Sequence, residues 1–132
     1  MITDEIAQYL DEQGIGIYDP DGITSTIFVE NMPDQPDVAI CIYSSAGQSP
    51  DTKTNVGRPG VQTITRGDRD PRTASALAKL VHDALHVPDI QTFTSEGRGI
   101  ILCAARQSEP VSLGPDENGR YEFSDNFQLI TK

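Results

Sequence analysis

A chain of 132 residues has room for one domain of ordinary size, and 36% hydrophobic content with four Tyr, four Phe and no Trp supports only a modest core. Three Lys and seven Arg oppose thirteen Asp and seven Glu, giving 10 − 20 = −10, which argues against tight nucleic-acid binding because that needs clustered cations to displace phosphate counterions. The start, Met1-Ile2-Thr3-Asp4-Glu5, carries no basic or apolar leader, and no apolar run approaches the roughly 18 residues that span a bilayer, so neither a signal peptide nor a membrane partner is expected.

Residues 3–13 predict a short helix: Thr3 can cap it, Asp4 and Glu5 suit the positive end of its dipole, Ile6, Tyr9 and Leu10 share a face with Ile2, and Gly14 ends it. Residues 14–25, with Asp19-Pro20-Asp21-Gly22 at their centre, read as a connection. Ile27–Glu30 and Val38–Tyr43 read as strands, and the two prolines of Asn31–Asp37 forbid regular pairing between them. Val38–Tyr43 is apolar on both faces and therefore central in its sheet. Residues 44–60 are rich in Ser, Gly, Pro and Asp, and a loop of that length in a compact domain predicts a contact element.

Val61–Arg66 alternates without a cleanly apolar face. The clearest element follows. Asp70 is a good N-cap, Pro71 suits the first helical position, and Ala74, Leu77, Ala78, Val81 and Leu85 form a stripe up to about His86, before Pro88. Ile90–Thr94 and Gly99–Arg106 read as an antiparallel pair about Ser95–Arg98, and Phe123–Ile130 as the last strand. Strands and helices do not alternate as a parallel doubly wound sheet requires, so the expected class is α+β: one mostly antiparallel sheet of about four to six strands with two helices packed on one face. Cys41 and Cys103 both lie in apolar strands and are expected as buried free thiols in a protein assembled inside a cell.

Chemistry is sparse along the chain. His82-Asp83-Ala84-Leu85-His86 sets two imidazoles one helical turn apart, the arrangement of a small metal-dependent hydrolase, but Asp83 is shorter than the Glu such a motif uses and no third ligand is visible. Two histidines near a negative helix end are the simpler reading. Gly57-Arg58-Pro59-Gly60 lacks the Lys and the spacing of a phosphate loop, and neither Ser45 nor Ser112 sits in a nucleophile elbow. No catalytic, cofactor-binding or metal-ligating residue is assigned, and the chain is read as a non-enzyme.

The most individual stretch is Leu113-Gly114-Pro115-Asp116-Glu117-Asn118-Gly119-Arg120-Tyr121-Glu122-Phe123, which closes on Asn126-Phe127. Asn118-Gly119 accepts positive φ, and Tyr121, Phe123, Phe127 and Leu129 alternate with polar residues, so a hairpin closing the sheet is predicted. The stretch also resembles the C-terminal signature of the phage minor capsid and tail-terminator family, a Leu-Gly-x-Asp-x-x-Gly-Arg turn leading into an aromatic strand, with Pro115 standing where a basic residue would be usual. The Ile27-Phe28-Val29 strand, the Met32–Asp37 segment, the Gly57–Gln62 approach to the next strand and the long helix agree with it in order, over essentially the whole chain.

That resemblance implies a structural virion protein made in the host cytoplasm. It would be a single 1–132 domain, one subunit of a hexameric ring at the head-proximal end of the tail tube, touching the tail tube protein and a neck or head-completion protein. DNA would pass through its lumen without tight binding, and no cofactor is implied. A neck stopper is the alternative from the same class. Ser49, Asp51, Lys53, Asn55, Arg58, Arg66, Arg120, Tyr121 and Phe123 are the candidate assembly-interface residues. The acidity fits a lumen that repels DNA, and with scarce Lys it also fits adaptation to high salt.

Overall fold

The computed structural model describes residues 2–21, 23–48, 57–86, 91–92 and 99–131. The elements run α1 (Ile2–Glu12), β1 (Ile27–Val29), β2 (Ala39–Gln48), β3 (Arg58–Arg66), α2 (Pro71–Leu85), β4 (Gln91–Thr92), β5 (Gly99–Ala105), β6 (Val111–Pro115) and β7 (Tyr121–Thr131). Six strands lie in the row β1-β2-β3-β7-β5-β4, and β6 joins by pairing with β7. Every pairing is antiparallel except β1 with β2. The fold is α+β, with both helices on one face, as the sequence implies.

Register explains the two faces. Ile40, Ile42, Val61, Phe127, Leu129 and Cys103 stand on one side of neighbouring strands, and the apolar sides of both helices close over them, Ile6, Ala7 and Leu10 from α1 and Val81 and Leu85 from α2. The Tyr9 hydroxyl donates to the Ala84 carbonyl at 3.3 Å and ties the helices together. Cys41 alternates with Ile40 and Ile42 and is buried on the opposite face, so the two free thiols lie on different sides of the sheet.

Strand β7 is the axis of the sheet. One of its edges pairs with β3 from Glu122 to Gln128, while the other is shared, β6 lying beside Tyr121–Ser124 and β5 beside Phe127–Thr131. The chain from Gly99 to Pro115 is thus one broken strand interrupted at residues 106–110. On the far side of the sheet, the nine residues 30–38 link two parallel strands, a connection too short for the usual crossover helix.

Several expectations shift. Thr3 does not cap α1, because the helix already contains Ile2, and its side chain is buried in the first turn. Within 44–60 the described residues belong to strands and their pairing: Ser44 pairs with Val61, Ser45 with Gly60 and Gln48 with Arg58, extending β2 and β3 beyond their apolar segments, while residues 49–56 lie outside the described residues. β6 was not expected as a separate strand, although it is the first arm of the predicted hairpin. The Asp70 cap is as predicted, its carboxylate accepting from the Arg72 N–H at 3.0 Å. Of Ile90–Thr94 only Gln91 and Thr92 are described, and the turn at Ser95–Arg98 lies outside the described residues. Among the described residues no helix is long and apolar enough to cross a membrane.

Candidate assembly surface

Two arginines hold the 30–38 crossover against the sheet. Arg66 ends β3 and alternates with Thr65, so it points to the face the helices leave open. Its Nε donates to the Asp37 carbonyl at 2.8 Å, and its Nη2 donates to the carbonyls of Pro36 at 2.6 Å and Asp34 at 3.3 Å. Arg120 precedes β7. Its Nε meets Asp116 Oδ2 at 2.9 Å, Nη2 meets Asp34 Oδ1 at 2.9 Å, and Nη1 meets Asp37 Oδ1 at 3.2 Å and also the Asp34 carbonyl. Charge-assisted bonds of this kind are roughly twice as strong as neutral ones, and the planar fork of a guanidinium suits several acceptors at once.

The turn before β7 is made for this. Asp116 Oδ1 accepts from the N–H groups of Asn118 and Arg120, both at 2.9 Å, and Gly119 takes φ +78°, a conformation costly for residues with a Cβ. Burial alone would raise the Asp116 pKa; those two N–H groups and the Arg120 guanidinium outweigh it and hold the carboxyl below its ordinary range. Burial likewise works against the charge on Arg120, but the Asp116 and Asp34 carboxylates win and raise its pKa. For Arg66 burial prevails, reinforced by the like charge of Arg120, and its pKa falls.

Among the described residues six large hydrophobic side chains are exposed: Ile17, Ile23, Val38, Leu80, Val111 and Leu113. Three of them, Val38, Val111 and Leu113, lie in two apolar groups of residues. Ile15, Thr26, Val38, Ala39, Ile40 and Leu77 line a shallow groove without a charged residue. Val38 stands in it, Leu80 lies one helical turn beyond Leu77, and Ile17 is hydrogen-bonded to Thr26, with Ile23 in the same connection. The second group is β6 itself, Val111-Ser112-Leu113-Gly114-Pro115, also without a charge, with Val111 and Leu113 more than half exposed at 53% and 55%.

Of the residues expected at an interface, Ser49, Asp51, Lys53 and Asn55 lie outside the described residues. Arg58 is half-buried at the start of β3, where its carbonyl accepts from Gln128 Nε2 at 2.9 Å. Arg66 and Arg120 are brought together, but both are buried and turned onto their own chain. Tyr121 is half-buried and fixed by its backbone to Gly67 and Asp68, while half-buried Phe123 lines a cleft with Ser75, Lys79, His82 and Ser108–Pro110. The exposed apolar positions were missed. Leu80 gave a readable signal, since it falls off the stripe formed by Ala74, Leu77, Ala78, Val81 and Leu85.

The two histidines have internal partners. His82 Nδ1 lies 2.5 Å from Oδ2 of buried Asp125, and His86 Nδ1 accepts the Ala105 N–H at 3.0 Å. Their rings stack with centroids 6.1 Å apart. Among the described residues no group of three or more His, Cys, Asp or Glu is placed to hold a metal ion.

A family model described as "Bacteriophage tail terminator protein" matches residues 9–132. A search of curated proteins gave no match.

Proposed function

Since the chain belongs to the bacteriophage tail terminator family, a family of structural proteins of the virion tail that act between tail and head components, we propose that residues 1–132 act as one domain whose copies close into a hexameric ring. The ring caps the tail tube at its head-proximal end, ends tube polymerisation and presents a surface to the neck. The observation that carries this reading is the family match over nearly the whole chain, and it is the reason to prefer a terminator to a neck stopper. Burial of apolar surface at ring contacts also suits a domain with a modest core.

Charge supports the lumen. At −10 per copy, a ring lined by carboxylates repels the DNA backbone and lets it slide, where a basic lumen would hold it. The same charge makes copies repel one another at low salt, as expected for a protein that assembles at high ionic strength. Residues 49–56, which join β2 to β3 in the sequence, are assigned to contacts with the tail tube or neck protein, together with Arg58, Tyr121 and Phe123. Arg66 and Arg120 contribute to assembly by positioning. No role in hydrolysis is assigned to His82 or His86; His86→Ala particles are expected to assemble normally.

Electron microscopy of particles made without this protein tests the proposal. Over-long tails, or tails without heads, are the expected result. Tails of normal length joined to heads would overturn it.

A further inference from the structure

We propose that the ring is built head to tail, β6 of one subunit seating its Val111 and Leu113 in the groove lined by Ile15, Val38 and Leu77 of the next. The inference rests on the ring reading above and names the two surfaces that meet.

Three observations carry it. First, Val38 stands exposed in the apolar groove, and Val111 and Leu113, both more than half exposed, stand side by side on β6. Apolar patches clustered in this way on an otherwise polar surface mark association sites. Second, a copy of a chain with charge −10 meets repulsion over most of its partner's surface, and both patches are free of charged residues. The occupant best matched to each patch is therefore the other patch on a second copy.

The third observation is position. Ala39 pairs with Arg66, Arg66 with Glu122 and Glu122 with Gly114, so one straight line of partners crosses the sheet from the groove to β6. At strand spacing that line is about 14 Å long. The patches are thus on different strands, facing different neighbours, yet at one level along the strand axis. Different patches in contact make a heterologous interface, which closes into a ring when the rotation allows and climbs into a filament when each contact adds a rise. Where the ring axis runs along the strands, patches at equal height add little rise. A two-fold dimer could also cover both patches, each β6 in the other copy's groove, but it stops at two copies, so a wild-type assembly of only two copies would overturn the head-to-tail ring.

The test uses the full chain with one patch broken at a time, Leu113→Asp for β6 and Val38→Asp for the groove, with Leu113→Ser and Val38→Ser as milder versions should either fail to fold. Circular dichroism confirms folding, and light scattering after gel filtration in 1 M NaCl reads the assembly. Wild type is expected to form rings. Each variant alone is expected to be monomeric, with subunit affinity lowered at least about 100-fold. Mixing the two variants is decisive, because each keeps the patch the other has lost. The mixture is expected to form one-to-one dimers that go no further. Rings from either aspartate variant, dimers of the groove variant alone, or a mixture that stays monomeric while wild type forms rings would overturn the head-to-tail contact and leave the ring reading standing. Wild type that stays monomeric, with or without the tail tube protein, would overturn both.

Discussion

Replacing His82 with leucine removes the side chain that pairs with Asp125 in the helix-covered face of the sheet. Asp125 is 3% exposed, one oxygen lies 2.5 Å from His82 Nδ1, and the other accepts only the neighbouring Asn126 N–H at 2.9 Å among the described residues. Thr63 stands opposite on β3, and Phe127 lies next on the same face of β7. A carboxylate left there without its imidazole has no ready access to water, and breaking a buried pair from one side costs about 3–5 kcal/mol. With an unfolding entropy of about 2.1 cal/mol/K per residue, 132 residues give about 0.28 kcal/mol/K, so the melting temperature is expected to fall by about 11–18 °C. The double variant His82→Leu/Asp125→Leu replaces both partners with apolar groups and is expected within about 1 kcal/mol of wild type. Urea unfolding followed by circular dichroism, with slopes compared across the four proteins, completes the cycle. A loss below about 1 kcal/mol for His82→Leu, or single-variant losses that simply add in the double variant, would refute the reasoning.

Further outcomes follow from the same geometry. A Cβ on Gly67 would lie 2.6 Å from the backbone N of Ala74, which no side-chain rotation relieves, so Gly67→Ala is expected to cost about 1–3 kcal/mol in urea unfolding. Arg120→Met frees Asp34 and Asp37 from the turn at Asp116 and is expected to speed proteolysis of the 30–38 segment while far-ultraviolet dichroism stays unchanged; an unchanged cleavage rate would count against the clamp. Burial pushes the Cys103 thiol from 9.0, and the Tyr43 hydroxyl from 10.0, up to about 12 each, so the folded state keeps protons the unfolded chain has lost. Stability is then full below about pH 9 and falls as pH rises toward 12, with a shallower fall in Cys103→Ala; a flat profile contradicts it. Raising NaCl from 0.1 to 2 M is expected to raise both melting temperature and ring affinity by screening the −10 charge, and no response would reject the electrostatic account.

What could be read from the sequence was what depends on near neighbours. Asp70-Pro71 and the apolar stripe after it define α2 within a few residues of themselves, and the Asn118-Gly119 turn is equally local. Two features depend on distance. The crossover is held by Arg66 and Arg120 acting on groups up to 86 residues away, mostly backbone carbonyls, which leave no mark on residue type. Pairing also overrides composition: Ser44–Gln48 looks like loop, yet it is strand because Arg58–Val61 supplies its hydrogen bonds. Asp125 was hidden for a related reason. A carboxylate within an aromatic strand reads as solvent-facing until the helix carrying His82 is seen to cover it.

The Gly119-Arg120 pair carries the family resemblance, and its place in the fold changes what that resemblance means for assembly. The Arg120 guanidinium is turned onto its own chain, where Asp34, Asp37 and Asp116 surround it. Asp37 adjoins Val38 in the groove, and Asp116 adjoins Pro115 at the end of β6. One side chain therefore ties the segment beside the groove to the turn after β6 and, together with strand pairing, sets the distance between the two apolar patches, and Arg66, on the line of paired residues between them, holds the same segment through its carbonyls. In a closed ring every contact repeats, so an error in that distance repeats at each step and prevents closure. A buried arginine can thus be required for assembly without touching a partner, because it sets the geometry that the exposed side chains use.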